Sequence, residues 1–133
     1  MFAKLIKATR ASMGYHRACK LNNAKKYDDA LKVLSQLETS PEYEARAELF
    51  AASILHRKGD IKASIRKYEH FLKDKVQFIS KTTDQTYLTL YARYYLQNAM
   101  KRLDRGFVIT IPRKQVEESY NKASYLVRNE FVF

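Results

Sequence analysis

Residues 34 positions apart in this chain match in character: Leu21 pairs with Leu55, Tyr27 with Ile61, Ala30 with Ser64, Leu34 with Tyr68 and Leu37 with Phe71. Ala18 and Ala52 fall in the same register. Every member of these pairs is apolar or small. A period of this size marks a helix–turn–helix unit that cannot bury its apolar face alone and must stack on a neighbour. Such stacks more often hold another molecule than carry out chemistry, so the spacing bears on function as well as fold.

The remaining composition agrees with helices. A chain of 133 residues forms one domain and buries a core without staples. Only 3 Gly and 2 Pro interrupt it, which favours long helices over a turn-rich β fold. The single Cys excludes an internal disulfide framework and gives no zinc-ligand set, and a reducing cytoplasmic setting is the expectation. No stretch approaches the roughly 18 to 20 continuous apolar residues of a membrane span. A secretory leader is not expected, because Lys4, Lys7 and Arg10 interrupt the start. The acid-poor beginning can resemble an organelle transit peptide, but residues from about 11 onward are needed for the first repeat helix.

Residues 11 to 74 resemble two tetratricopeptide repeats. The matching stretches are Ala24-Lys25-Lys26-Tyr27-Asp28-Asp29-Ala30-Leu31 and Lys58-Gly59-Asp60-Ile61-Lys62-Ala63-Ser64-Ile65. In that family a turn residue precedes an aromatic one, with a small residue three positions later. Tyr27/Ala30 and Ile61/Ser64 fill those places, and Ala18 and Ala52 fit the close crossing within each repeat. Lys25 departs from the pattern by standing where a turn glycine is common, and the large aromatic early in each repeat is missing. The resemblance implies an all-α, right-handed stack with a concave groove that binds peptides or proteins. The family's carboxylate-clamp residues, which grip a peptide C-terminus, are absent from most of their positions.

Six helices in three antiparallel pairs are predicted: repeat one over about 11–40, repeat two over about 41–74, and an irregular pair over about 84–130. The first helix runs from about Ala3 to Asn22, with Phe2, Leu5, Ile6, Thr9 and Met13 on one face, either capping the stack or lying on a membrane. The second runs from Tyr27 to about Glu38. Thr39-Ser40-Pro41 closes it and opens the third, through a Ser40 cap and a proline in the first turn. Gly59 ends the third helix, and Asp60 caps a fourth that reaches about Lys73. Residues 75–83 form a joint. A fifth helix spans about Asp84 to Arg105 and ends before Gly106. Phe107–Ile111 reads as an extended linker packed on helices, or as a sticky edge for a partner. A sixth helix runs from Pro112 to about Asn129. The apolar Phe131-Val132-Phe133 end reads as docked on the core, or as inserted into a partner.

The net charge is +11, and the excess lies at the ends. Residues 1–40 carry eight bases against three acids, residues 41–74 seven against six, and residues 75–133 ten against five. Such a field attracts an anionic partner and speeds encounter with it. An acidic protein surface, nucleic acid and an anionic membrane surface all fit.

Chemistry-bearing patterns are sparse. His16, His56 and His70 lack the spacing of a helical zinc site, and no metal or cofactor is expected. His16 and Cys19 can face each other on one helix, without a recognisable third group to make a catalytic dyad. Arg10 and His16 have the Arg-x5-His spacing similar to the motif of HEPN ribonucleases, where Arg would clamp phosphate and His move a proton. The expected function is non-catalytic protein binding, by an adaptor, a scaffold or an immunity-type inhibitor. The concave wall would carry Tyr15, His16, Cys19, Asn22 and Asn23 from repeat one. Repeat two would add Arg46, Phe50, Ser53, His56 and Arg57. A tyrosine stripe, Tyr87, Tyr91, Tyr94 and Tyr95, with Arg93, Arg102 and Arg105 nearby, offers a second surface. It can stack single-stranded nucleic acid, form a protein hot spot, or pack between helix pairs.

Overall fold

Two turns set the geometry of the first half, and they are superimposable in register. Lys25 and Gly59 both adopt the left-handed conformation, with φ of 60° and 96°. The Lys26 amide donates back to the Leu21 carbonyl at 2.8 Å, and the Asp60 amide to the Leu55 carbonyl at 3.0 Å. Ala30 N–H to Lys26 and Ser64 N–H to Asp60 repeat the match at the start of the following helices. The pattern is the Schellman closure of a helix, which ties up carbonyls that the helix end leaves unpaired. Lys25 is the one non-glycine residue with positive φ among the described residues.

The protein is all-α in the computed structural model, which describes residues 2–36 and 40–133 and side chains from Met13 onward. Seven helices lie among the described residues: α1 (Phe2–Asn23), α2 (Tyr27–Ser35), α3 (Pro41–Lys58), α4 (Ile61–His70), α5 (Thr82–Leu103), α6 (Arg113–Lys122) and α7 (Tyr125–Glu130). Ser40 caps α3 by accepting from the Tyr43 amide at 3.3 Å, with Pro41 in its first turn. Asp60 caps α4 by accepting from the Ala63 amide at 3.4 Å. The closest packing is between α1 and α2, α3 and α4, and α5 and α6, with α2–α3 and α4–α5 joining the pairs. Three of the matched pairs agree in burial, since Ala18, Ala52, Ala30, Ser64, Leu34 and Tyr68 are all buried, whereas Leu21 and Tyr27 are half-buried and their counterparts Leu55 and Ile61 are buried. Leu37 and the end of the second helix at Glu38 lie outside the described residues, as do the side chains expected on the apolar face before Met13.

Two segments differ from expectation, and a third, Phe107–Ile111, agrees with it. Helix α4 passes into a π turn at Phe71–Lys75 and a 3-10 turn at Val76–Phe78. That widening buries Phe71 and precedes the buried Ile79. The expected sixth helix is two helices. Asp84 on α5 is buried and accepts from the Ser124 backbone amide at 2.6 Å and its hydroxyl at 2.8 Å. Ala123 is extended there, with ψ of 159°, and Ser124 caps α7. A tertiary carboxylate has therefore overridden local helix preference. The Phe107–Ile111 segment is extended and is held on α5 by Gln97, whose Oε1 accepts from Thr110 N at 3.0 Å. Side-chain pairing replaces the ladder that a strand would need.

The C-terminus closes the core. Phe131 is buried, and its carbonyl accepts from the Tyr87 hydroxyl at 2.5 Å. Its ring lies edge-on to Phe50 at 6.1 Å and to Tyr91 at 5.5 Å. Beside it a bidentate ion pair joins Arg46 to Glu130 at 2.8 and 2.7 Å, with side chains 6% and 9% exposed. The Arg46 guanidinium is flanked by the Tyr43 ring at 4.5 Å and the Tyr15 ring at 5.1 Å. Burial pushes the Glu130 carboxyl up, and Arg46 offsets part of that rise. Burial opposes the Arg46 charge too, but Glu130 more than compensates and leaves Arg46 above its ordinary value.

Four outcomes are expected. Gly59→Ala should cost about 1 kcal/mol from backbone strain alone, since an added Cβ meets nothing within 4 Å. Lys25→Gly should leave stability unchanged or raise it by up to about 1 kcal/mol, both variants being read by urea unfolding. Glu130→Ala should cost roughly 3–5 kcal/mol by stranding a buried guanidinium, whereas Arg46→Met with Glu130→Met should recover most of that loss. A single variant as stable as the wild type in the same assay would contradict the buried pair.

Candidate functional site

The two residue sets expected on separate surfaces meet in one cavity. Ser53, His56 and Arg57 from α3, Tyr68 from α4, and Tyr91, Tyr95 and Arg102 from α5 line a space of about 280 Å³. Helix periodicity explains the convergence. Ser53, His56 and Arg57 sit at i, i+3 and i+4, as Tyr91 and Tyr95 do at i and i+4, so each helix turns one edge to the cavity. Tyr68 was not expected here. Its signal was its register with Leu34, which read as core.

The lining is polar and cationic. Arg57 donates to the Asn22 side-chain oxygen at 3.0 Å, and Arg102 to the His56 carbonyl at 3.4 Å. Neither arginine is in an ion pair among the described residues. His56 Nδ1 lies 3.4 Å from the Tyr68 hydroxyl, and its ring is edge-on to Tyr95 at 6.3 Å. Burial, then the charges of Arg102 and Arg57, push the His56 imidazole below its ordinary value. Burial pushes the Tyr91 phenol up to about 12 and raises Tyr68 and Tyr95 as well, while Arg57 pulls against all three rises. These hydroxyls therefore keep their protons at neutral pH. The Ser53 hydroxyl is buried beside the Tyr91 phenol.

Several expected surface residues are not at the surface. Tyr15, Arg46 and Phe50 are buried in the core and lie outside this cavity. Tyr15 donates its hydroxyl to the Tyr43 carbonyl at 2.8 Å, and Arg46 is consumed by Glu130. Tyr87 and Tyr91 are buried too, because the stripe is the seat of the C-terminal tail: Tyr94 and Tyr95 pack on Phe133 at 5.4 and 6.0 Å. Asn23, Arg93 and Arg105 are exposed and outside the cavity, and Asn22 reaches its rim through Arg57.

His16 is exposed and borders a separate recess with Tyr15, Cys19, Leu126 and Glu130. Burial, then the nearby Glu130, push the Cys19 thiol up, the opposite of what an activated nucleophile needs. The Arg10 side chain, the other half of the ribonuclease-like spacing, lies outside the described residues. Among the described residues no three His, Cys, Asp or Glu groups converge as metal ligands, and no helix is long and apolar enough to cross a membrane.

No protein-family model matches the chain, and neither a curated protein nor a solved structure matches it.

His56 gives the cavity a direct readout. Its imidazole should titrate below about 6.5, and Arg102→Gln should move that midpoint up, both seen by NMR of the ring protons. Because the folded value is the lower one, any stability from neutral His56 is complete above about pH 6.5. It is lost as pH falls through the folded midpoint. A midpoint that ignores Arg102→Gln would show that the arginine does not face the ring.

Proposed function

We propose that the protein is a non-catalytic binding module of tetratricopeptide-like, helical-repeat architecture that engages an acidic protein partner. Adaptor, scaffold subunit and immunity-type inhibitor are the roles that suit such a module, and the cytoplasm is the compartment that suits its single thiol. The observation that carries this reading is the cavity between α3, α4 and α5. Two arginines converge there on neutral hydroxyl donors without a carboxylate to neutralise them. A pair of arginines without a carboxylate partner takes an anionic anchor, while the wider positive charge steers the partner toward it. The matched turns at Lys25 and Gly59 support the repeat reading, since equal closures 34 residues apart bend the chain in equal ways.

The nucleic-acid alternative drew on the basic ends and on a tyrosine stripe free to stack on bases. Tyr87 and Tyr91 are buried, which leaves Tyr94 and Tyr95 as the partly exposed members of that stripe and weighs against this reading.

Pull-downs with the wild type and with Arg57→Gln/Arg102→Gln, from lysates with and without nuclease, test the reading. The expected result is one stoichiometric protein that survives nuclease treatment and is lost from the double variant. Affinity should fall only gently with salt, because few charges are engaged. Recovery of nucleic acid whose removal strips away all proteins, with a steep salt dependence, would overturn it.

A further inference from the structure

We propose that the cavity between α3, α4 and α5 receives a phosphomonoester, a tetrahedral dianion, carried by the protein partner. This rests on the binding function proposed above and names its anchor. A planar carboxylate offers two oxygens and one negative charge. A phosphomonoester offers three terminal oxygens and a charge near −2 at neutral pH. The lining matches the second in charge and in number of donors. Each guanidinium has five N–H groups, and here each has a single partner: Asn22 for Arg57, and the His56 carbonyl for Arg102.

The donors also come from different sides. Arg57 and Ser53 project from α3, Tyr68 from α4, and Tyr91, Tyr95 and Arg102 from α5. Such an arrangement surrounds a tetrahedron better than it grips one plane. Ser53 lies among these groups. The residue is only 4% exposed, and its hydroxyl sits beside the Tyr91 phenol on the cavity wall. With a volume of about 280 Å³, the space accommodates a phosphomonoester group.

The same geometry couples binding to protonation. The charged and titratable groups facing His56 are Arg57 on its own helix, Tyr68 on α4, and Tyr95 and Arg102 on α5. The two arginines disfavour the imidazolium, and a bound dianion reverses their effect. Anion binding and His56 protonation therefore strengthen each other.

The test uses the full chain and three probes at equal ionic strength: inorganic phosphate, sulfate and acetate. Sulfate remains a dianion throughout the pH range, so it isolates the histidine. Phosphate and sulfate should shift the His56 ring signals saturably and raise the His56 midpoint, and acetate should not. Sulfate should bind more tightly as pH falls through that midpoint. Ser53→Ala should weaken sulfate binding by about threefold or more. Arg57→Gln/Arg102→Gln should abolish it at unchanged melting temperature, since both arginines are exposed. Equal response to acetate, or saturable response to none of the three, would overturn the phosphate assignment.

Phosphatase treatment of the lysate separates this inference from the broader one. A partner lost after treatment supports both. A partner retained after treatment overturns the phosphate assignment and leaves protein binding intact. If only nucleic acid is captured, protein binding fails. Competition with sulfate by a 5′-phosphorylated RNA, but not by its 5′-hydroxyl form, would then overturn the protein-borne phosphate as well.

Discussion

The Arg46–Glu130 pair is the constraint around which the rest of the structure is arranged. Its partners are 84 residues apart in sequence and almost wholly withdrawn from water. Removing two charges from water costs several kcal/mol for each, and only a well-aligned, fully bonded geometry returns that cost. The alignment here is bidentate, and two tyrosine rings flank the guanidinium. Glu130 reaches Arg46 because the chain bends between α6 and α7. That bend exists because Asp84 takes the Ser124 amide that a continuous helix would have used. Two buried carboxylates thus fix the path of the chain from Ser124 to Phe133, one by breaking a helix and the other by anchoring the new one.

Once that path is fixed, the C-terminal phenylalanines reach the tyrosines of α5. Phe131 fills the space between Phe50 and Tyr91, and Phe133 lies against Tyr94 and Tyr95. The tail completes the wall behind the cavity and holds the tyrosine rings so that Tyr91 and Tyr95 line it. The position of the tyrosines on α5 that line the cavity therefore depends on the last residues of the chain, although none of those residues lines it.

Local signals were legible in the sequence, and long-range electrostatics were not. The 34-residue spacing located the buried positions, and Ser40, Pro41, Gly59 and Asp60 located helix ends, because caps and apolar periodicity act over a few residues. The extended linker and the docked tail were legible as apolar segments without helical partners. Arg46 was misplaced because an arginine at a helix face reads as solvent-facing until its acid is known, and Glu130 gives no local sign of being that acid. The single sixth helix failed for the same reason, since Asp84 is forty residues from the turn it makes. The cavity was half legible: His56, Arg57, Tyr91 and Arg102 were each singled out, but on two surfaces. Only the packing of α5 against α3 and α4 makes them one.

The charge distribution then has two scales. Exposed bases at both ends produce a field that salt screens beyond roughly 8–10 Å, suited to raising encounter rates with an acidic surface. Within the cavity the same sign of charge acts through less water, where each hydrogen bond to a charged group is stronger and its geometry matters. A surface field alone accepts any polyanion. Discrimination needs donors at fixed positions, and Tyr68, Tyr91 and Tyr95 supply them because burial keeps their hydroxyls protonated. Flexible surface lysines attract without selecting, whereas rings locked between helices select without long-range attraction. Under the proposed binding function, affinity, rate and specificity are therefore set by different residues.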